Sequence, residues 1–498
     1  MPHDTSGPAP HVVVVGGGVS GLTAALTVVR ARPDVRVTVL EGGDRAGGKL
    51  RREPVAGHLV DVGAEAMLAL RPEAVDLLEA IGAGSEIVAP DTTSASVWSR
   101  GALHPLPRAT LMGIPADPEA TRGLLSDAEV ARLVEEQPWS GPLGEDVAVG
   151  AYVAARLGRA VVERLVEPLL GGVYAGHADL LSMQAALPQV WPTVVSGGSL
   201  VELAARAFGL RAAGGPATPG PATPGHAAGG APRRAPFAGI RGGVGRFPEL
   251  LLAALEPYAV DLRLHAPATA LERTPSGWAV LAGPSTAPER LEADAVIVTV
   301  GPAASARLLA PHAPSAAATL AGLDTASTAV ITLAVERDGL GDLPGSGFLV
   351  PPVEGLTIKA GTFSGVKWGW TGSLSDSVAY LRASVGRAGE EAVVDRDDAE
   401  LVEIAVREVS HVLGRPLTRL VDSQVQRWEA GLPQYTVGHL DRVGSVRAAV
   451  AQLPALEVAG AAYDGVGIPA VIASATRAAA AVVEALTGHP AASPTMGA

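Results

Sequence analysis

Residues 12–21 constrain the fold more than any other segment of the chain. An apolar strand at 12–15 runs directly into a G-x-G-x-x-G turn, and a helix is predicted over 22–30. The turn contains Gly16, Gly18 and Gly21, with Val19 and Ser20 before the last glycine. Such a unit lets the backbone approach a pyrophosphate and points the N–H groups of the helix start at it. The segment therefore predicts a Rossmann-like α/β unit that binds a dinucleotide.

A carboxylate follows the second predicted strand at a position from which it could bind the ribose of a dinucleotide. The strand covers 35–40 and ends at Glu41, about twenty positions after Gly21. An acid at this spacing can accept hydrogen bonds from both hydroxyls of an adenosine ribose and disfavours a 2′-phosphate. A second glycine-rich loop comes next and contains Arg45, Gly47, Gly48 and Lys49. Its paired glycines permit a second close approach of backbone to phosphate.

The composition excludes several kinds of chemistry. The 498 residues include no cysteine, which rules out disulfides, iron–sulfur clusters, thiolate zinc sites and cysteinyl flavin links. A net charge of −13 disfavours nucleic acid as a partner. Residues 1–10 lack the basic and apolar regions of a signal peptide, and the sequence has no continuous apolar stretch of membrane-spanning length. We therefore expect a cytoplasmic protein without a transmembrane segment.

Strand and helix patterns are distributed unevenly along the chain. Apolar positions three and four apart predict helices over 147–171, whereas runs at 295–300 and 326–335 predict strands. The repeated Pro-Ala-Thr-Pro-Gly sequence at 216–225 indicates a low-complexity insert. The predicted fold class is α/β (α+β). Its parts are a discontinuous Rossmann-like dinucleotide-binding domain (1–60, 240–305 and 425–487), a mixed-sheet substrate domain (61–95 and 306–424), a mainly helical domain (96–208), a disordered insert (209–239) and a flexible tail (488–498).

A small-residue turn near the C-terminus completes the dinucleotide signals. It runs from Gly460 through Val466, Gly467 and Ile468, and a helix is predicted immediately after it, over 470–486. The N-terminal end of a helix stabilises negative charge, which suits the N1/O2 side of a reduced flavin. The turn therefore has a chemical purpose in a flavin enzyme.

Together these motifs resemble those of the bacterial coproporphyrinogen III and protoporphyrinogen oxidases of the flavin amine oxidase superfamily. The R-x-G-G loop at 45–48 and the C-terminal turn carry the resemblance, and further agreement comes from residues 61–65, 242–247, 363–368 and 428–439. The composition fits an actinobacterium, in which such enzymes are of the coproporphyrin-dependent type. The resemblance implies FAD as the cofactor.

The resemblance also implies roles for individual residues. It places FAD against both glycine-rich loops, the ribose acid, the C-terminal turn and Trp428, with the backbone of Ala268 at the adenine. Lys367 is the catalytic candidate, because related amine oxidases use a lysine to hold a water beside the flavin. The implied substrate carries four carboxylates, so cations are expected at the mouth of its cavity. The substrate-binding candidates are Arg51, Arg71, Lys367 and Arg427.

The implied reaction is the six-electron oxidation of coproporphyrinogen III to coproporphyrin III in haem biosynthesis, with O2 as acceptor and H2O2 as product. A transient contact with a ferrochelatase is left open as a further partner. His177, His265 and His439 lack ligand spacing, so no metal site is expected. Three alternatives stay open: a protoporphyrinogen IX oxidase, a flavin amine oxidase or carotenoid desaturase, and a non-catalytic protein that binds porphyrin and FAD.

Overall fold

The computed structural model describes residues 9–209, 236–284 and 286–487. The predicted tail at 488–498 lies outside these residues, as does the predicted insert apart from its two ends. Within the described residues, two large sheets and a block of short helices each enclose a core of buried apolar side chains.

The dinucleotide motif lies on a five-stranded parallel sheet. In spatial order its strands are Asp261–Arg263, Arg36–Leu40, His11–Val15, Ala295–Val298 and Leu456–Val458. The central strands are buried on both faces, which explains their continuous runs of valine and isoleucine. Strands from distant segments of the chain therefore form one sheet, and the predicted discontinuous Rossmann-like fold is confirmed.

Two long helices pack on one face of the parallel sheet. Val19–Ala31 follows the glycine-rich turn and lies along Ile468–Thr487. The second of these is long and apolar enough to cross a membrane by composition, yet Ile472, Ala475 and Ala479 are buried in the core beside the first helix. Both helices begin beyond the carboxyl ends of parallel strands, so their N-termini meet at the same edge of the sheet.

A second, seven-stranded sheet is almost entirely antiparallel. Its spatial order is Leu420–Pro433, Thr325–Glu336, Val378–Val385, Ala360–Thr362, Gly347–Leu349, Ser96–Ser99 and Ala102–Pro105, with only the pair Gly347–Leu349 and Ser96–Ser99 parallel. One face, which includes Ile331 and Leu381, packs against the helix Asp398–Leu413. Successive side chains of a strand alternate between faces. Thr332, Arg382 and Trp428 therefore lie on the opposite face, called the site face below.

The helical block has a hydrophobic core of its own. Its helices are Asp127–Val134, Val149–Leu157, Arg159–Val161, Glu167–Tyr174, Met183–Ala186, Trp191–Ser196 and Leu200–Ala207, with a π-helical turn at Val162–Val166. A capping box formed by Ser126 and Glu129 begins the first of them. The residues predicted as helical over 147–171 form several short helices here.

The remaining elements are short and connect these units. The strands are Arg52–Val55 with His58–Asp61, Met67–Leu68 and Ile87–Val88 with Phe237–Ile240, Thr110–Leu111 with Ile114–Pro115, and Ala268–Thr274, Gly277–Ala282 and Glu289–Ala293. The helices are Glu73–Ala80, Phe247–Leu255, Pro302–Leu309, Pro314–Ala321, Ser364–Lys367, Gly369–Gly372 and His439–Val450. Turns of 3-10 helix lie at Gly84–Glu86, Pro118–Thr121, Val244–Arg246, Glu256–Tyr258, Pro352–Glu354 and Glu391–Val393.

Several predicted boundaries differ from the pairing in the structure. Residues 425–433, predicted to belong with the parallel sheet, lie in the strand Leu420–Pro433 of the seven-stranded sheet. Ser96–Ser99 and Ala102–Pro105 join that sheet too, not the helical block. Phe237–Ile240, predicted as the end of the insert, is a paired strand. Glu73–Ala80, predicted with the substrate domain, packs on the last helix. Partners far away in sequence decide each of these positions.

Candidate active site

The first glycine-rich turn is closed against its own helix. Gly16 has a φ of +111°, which favours glycine, and a Cβ added to Gly21 would lie 1.8 Å from the Gly16 carbonyl oxygen. Val19 and Ser20 are buried in the first turn of the helix. The backbone therefore fixes a loop whose N–H groups face the edge where both long helices begin.

Glu41 accepts hydrogen bonds from two backbone N–H groups, one in the first glycine-rich turn and one in the segment that directly follows Glu41. One carboxylate oxygen accepts from the Gly17 N–H at 2.9 Å, and the other accepts from the Gly43 N–H at 2.8 Å. A carboxylate oxygen has further lone pairs, so these bonds hold the side chain in place without preventing it from accepting ribose hydroxyls. The predicted ribose acid thus lies beside the first glycine-rich turn, and its ribose contact stays a prediction.

The second glycine-rich loop approaches the first backbone to backbone. The Gly47 N–H donates to the Gly17 carbonyl at 2.8 Å, and a Cβ added to Gly48 would lie 3.2 Å from the Cα of Gly18. Arg45 caps the loop by donating to the carbonyls of Ala46, Gly48 and Leu50. A side chain on either glycine would fill the cradle between the loops. The residues present therefore fit the pyrophosphate of FAD.

Ala268 begins a strand beside the acidic end of this cradle. The adjacent segment is held by backbone bonds of 2.8 Å from the His265 N–H to the Gly43 carbonyl and from the Ala266 N–H to the Glu41 carbonyl. A Cβ added to Gly42 would lie 3.4 Å from Pro267. Ala268 therefore lies close to the predicted ribose acid, where an adenine contact is geometrically reasonable.

The C-terminal turn meets the first helix directly. Gly460 has a φ of +121°, and a Cβ added to it would lie 3.8 Å from the hydroxyl of Ser20. The Gly460 N–H donates to the Ser474 hydroxyl at 3.2 Å, while Asp464 pairs with Arg447 and Arg477. Val466 and Gly467 follow, and the last helix begins at Ile468. The C-terminal turn and the first glycine-rich turn thus form one continuous site.

Trp428 joins the parallel-sheet region to the seven-stranded sheet. A Cβ added to Gly63 would lie 2.1 Å from the Lys49 carbonyl oxygen and 3.1 Å from the Trp428 ring. The Lys49 ammonium donates to the carbonyl of Gly431, further along the same strand as Trp428. These contacts place Trp428 next to the second glycine-rich loop.

Arg427 is directed away from this site, and its predicted substrate role is corrected. It pairs with Ala329, whose side chain lies in the core beneath the helix Asp398–Leu413. Its guanidinium donates to the carbonyls of Val394 and Arg396 and to the carboxylate of Asp398. Because side chains alternate along a strand, a residue next to Trp428 must lie on the other face.

Lys367 belongs to a largely buried charged cluster. Its ammonium lies 3.6 Å from a carboxylate oxygen of Glu65, and the Arg382 guanidinium lies 3.4 Å from the same oxygen. Burial tends to raise the pKa of Glu65, but the two cations hold it below its usual value. Lys367 also lies over the Trp368 ring at 5.4 Å. The cluster carries one net positive charge.

A small polar cavity of about 10 Å³ adjoins this cluster. Asp61, Glu65, Thr332, Ser364 and Arg382 are among its lining residues. The Thr332 hydroxyl and the Nε of Arg382 are buried without a hydrogen-bond partner from the protein. The volume and the polar lining suit one ordered water.

Asp61 is the second buried carboxylate here. Its oxygens accept from the N–H groups of Val244 and Gly245, each at 2.8 Å. Burial raises the pKa of Asp61 to about 7, against the opposing influence of these hydrogen bonds and of Arg382. Asp61 therefore titrates near neutral pH.

The other two predicted substrate cations lie nearer the surface. Arg51 pairs with Glu53, and its backbone carbonyl accepts from the Val62 N–H at 3.0 Å. Arg71 pairs with Glu73 at 2.5 Å. Both are partly exposed, with arginine side chains that are 31% and 43% accessible. Such pairs exchange readily, so a substrate carboxylate can compete for either arginine.

Sequence reasoning missed Arg382 and gave Asp61 and Glu65 no role. Arg382 lies in the strand Val378–Val385, and a cation within the alternating apolar pattern of that strand was the available signal. Its partner Glu65 lies more than 300 residues away, so sequence spacing could not reveal the pair. Lys367 is brought to this cluster by the short helix Ser364–Lys367.

Comparison with known sequences identifies the family. The profile of the flavin containing amine oxidoreductases matches residues 19–483. This chain belongs to that family. The predicted flavin cofactor is thereby confirmed, and the two glycine-rich loops with the C-terminal turn are the part of the family fold that would hold FAD. The roles of individual residues remain predictions.

The chain of this flavin containing amine oxidoreductase resembles several curated proteins over almost its whole length. It is 37% identical to coproporphyrinogen III oxidase of Mycobacterium tuberculosis H37Rv over 476 residues, covering 95% of this chain and 97% of the relative. It is 36% identical to the coproporphyrinogen III oxidase of Propionibacterium freudenreichii, covering 97% and 93%. The predicted resemblance to porphyrinogen oxidases is therefore confirmed.

Solved structures of the family agree with the fold. A crystal structure from Exiguobacterium, assigned as a protoporphyrinogen oxidase, aligns with a TM-score of 0.81 at 33% identity, covering 96% of this chain and 99% of that one. A cyclohexylamine oxidase from Brevibacterium oxydans aligns with a TM-score of 0.65 at 16% identity, covering 96% and 100%. The second likeness shows the shared fold alone.

Proposed function

We propose that this chain oxidises coproporphyrinogen III to coproporphyrin III in haem biosynthesis, with O2 as the electron acceptor. The observation that carries the proposal is its 37% identity with a mycobacterial coproporphyrinogen III oxidase over 95% of the chain. The similarity covers almost the whole chain and is therefore not confined to the dinucleotide-binding part.

The residues of the site suit a large anionic substrate beside a flavin. When bound, FAD would supply a two-electron acceptor at the junction of the two sheets. Trp428 offers an aromatic surface there, and the cluster of Lys367, Arg382 and Glu65 keeps one positive charge near the site face. Arg51 and Arg71 can exchange their carboxylate partners for propionates of the substrate.

The overall reaction balances with oxygen as the only other reactant. The macrocycle loses six hydrogens in three two-electron steps, and each step reduces one O2 to H2O2. The pyrrole nitrogens can release their protons to water, so the protein contributes chiefly by orienting the ring and excluding other reactions. We propose the catalytic role for Lys367, and its ammonium in the cluster with Glu65 and Arg382 supports this as a group that can hold a water or a carboxylate.

We propose that the reaction takes place in the cytoplasm. A ferrochelatase is the partner proposed for the product, since an enzyme of that kind would use the porphyrin as its substrate. This contact would be transient, and it carries no part of the catalytic argument.

Protoporphyrinogen IX is the second candidate substrate. It is favoured by the 33% identity with the Exiguobacterium structure, which is assigned to protoporphyrinogen oxidation. The two substrates differ in two propionates that are replaced by vinyl groups. Exposed cations such as Arg51 and Arg71 should therefore discriminate between them, because they can pair only with the propionates.

A direct comparison of both substrates tests the proposal. Purified protein with bound FAD is mixed in air with either porphyrinogen, while porphyrin fluorescence and peroxide are followed together. The control omits the protein, because porphyrinogens oxidise slowly in air. Faster turnover of coproporphyrinogen III, with three peroxides per porphyrin, is expected. A preference for protoporphyrinogen IX would support the second candidate, and no turnover of either would refute the assignment.

A further inference from the structure

Tyr435 lies at the centre of a buried aromatic group next to the C-terminal turn. Its side chain is buried, its ring stacks on His439 with centroids 3.8 Å apart, and Tyr174 packs against it at 5.6 Å. Burial lowers the pKa of His439 to about 4, so that ring is neutral at physiological pH. The stack therefore holds the Tyr435 ring in one orientation.

The Tyr435 hydroxyl bridges the two sides of the C-terminal turn. It donates to the carbonyl of Ala461 and accepts from the N–H of Gly465, each at 2.6 Å. Gly465 has a φ of +133°, a conformation that glycine adopts and that residues with a Cβ rarely adopt. The hydroxyl closes the turn, because both of its hydrogen bonds go to backbone atoms of that turn.

The turn is continuous with the start of the last helix. Val466 and Gly467 follow Gly465 directly, and the helix begins at Ile468. Elsewhere the turn is held by ion pairs of Asp464 with two arginines and by Ser474 at Gly460. Of these contacts, the hydroxyl of Tyr435 is the one that bridges Ala461 and Gly465.

We infer that Tyr435 is a positioning residue for the flavin: its hydroxyl fixes the turn 461–465 and thereby the N-terminus of the last helix against the cofactor. Tyr435 acts through the backbone and does not itself react. The inference rests on the flavin cofactor of the family and does not depend on which substrate is oxidised.

The test is Tyr435→Phe, which removes the hydroxyl and keeps the ring. Loss of two hydrogen bonds should raise the dissociation constant for FAD about tenfold. The midpoint potential of the bound flavin should also become more negative, because a helix N-terminus that is less well fixed stabilises the anionic reduced form less. Binding is measured by titrating apoprotein with FAD, and the potential by dye-coupled reduction.

Tyr174→Phe is the matched control. Its hydroxyl lies in the same aromatic group but donates weakly to the Ala186 carbonyl, at 3.5 Å, and not to the turn. The control should keep both the FAD affinity and the potential of the unmodified protein. Equal effects of the two variants, or a Tyr435→Phe protein with unchanged affinity and potential, would overturn the inference.

A measurement on the unmodified protein covers the case in which the variant fails to fold. Hydrogen–deuterium exchange of peptides covering 461–467 should show slow exchange at Gly465, because its N–H is bonded to a buried hydroxyl. Rapid exchange at this amide in the folded, FAD-loaded protein would show that the bridge is not formed. Failure of porphyrinogen turnover would leave both tests unaffected.

Discussion

Replacing Glu65 by glutamine should destabilise the protein far more than an ordinary loss of an ion pair. Glu65 is 9% accessible, and the two cations that it neutralises, Lys367 and Arg382, are 22% and 11% accessible. Glutamine keeps the volume and removes the charge, so the two cations, which lie 3.6 and 3.4 Å from the Glu65 carboxylate, would face a neutral amide in a poorly solvated place. Breaking a buried pair in this way costs about 3 kcal/mol or slightly more.

A double-mutant cycle isolates the interaction. Glu65→Gln and Arg382→Met are each measured alone and together by urea unfolding, with FAD absent so that cofactor affinity does not contribute. The coupling free energy should be about 2 kcal/mol or more, since removing both partners leaves fewer uncompensated charges. The matched control is Glu53→Gln, which breaks the partly exposed pair with Arg51 and should cost about 1 kcal/mol or less.

Two results would refute this reasoning. If Glu65→Gln and Glu53→Gln lower the free energy of unfolding equally, burial has no part in the cost. If the effects of the Glu65 and Arg382 substitutions simply add, the two side chains do not interact.

Three further predictions concern other parts of the site. Burial raises the pKa of Asp61 from 3.8 to about 7, so the folded state favours the protonated carboxyl. The free energy of unfolding should therefore fall by up to about 4 kcal/mol as the pH rises from about 4 to about 8. In Asp61→Asn, urea unfolding at the same pH values should not show this decrease. Gly21→Ala puts a methyl 1.8 Å from the Gly16 carbonyl and should weaken FAD binding about a hundredfold in a fluorescence titration. Arg427→Gln should lower the free energy of unfolding by about 1–3 kcal/mol without changing the KM for the porphyrinogen. A raised KM at an unchanged free energy of unfolding would instead indicate that Arg427 contacts the substrate.

The cofactor end of the site could be predicted because its signals are local. The turn at 16–21 and the loop at 45–48 require glycines at fixed spacing, since a side chain at either place would collide with backbone. The parallel sheet followed for the same reason, as each dinucleotide signal adjoins a buried apolar strand. These features need no knowledge of distant contacts.

The substrate end depended on which face of a strand each residue occupies. Trp428 and Arg427 were both predicted to line the site, although adjacent strand residues cannot share a face. Applying that rule to a strand here would have shown that one of the two residues faces away from the site, and the pairing of Arg427 with Ala329 shows which one. Arg382 lay beyond such reasoning, because its role depends on Glu65 and on the pairing of its strand with Thr325–Glu336. The strand Phe237–Ile240 was likewise decided by partners remote in sequence.

The most direct test of the central claim is anaerobic reduction of the bound flavin in a single turnover. Protein loaded with FAD is mixed without oxygen with one equivalent of coproporphyrinogen III, and the flavin absorbance is followed in a stopped-flow instrument. Bleaching of the flavin band within the time of one catalytic turnover, followed by recovery and porphyrin release when O2 is added, is the predicted result. A flavin that stays oxidised with coproporphyrinogen III but is bleached by an amine would contradict the proposed function.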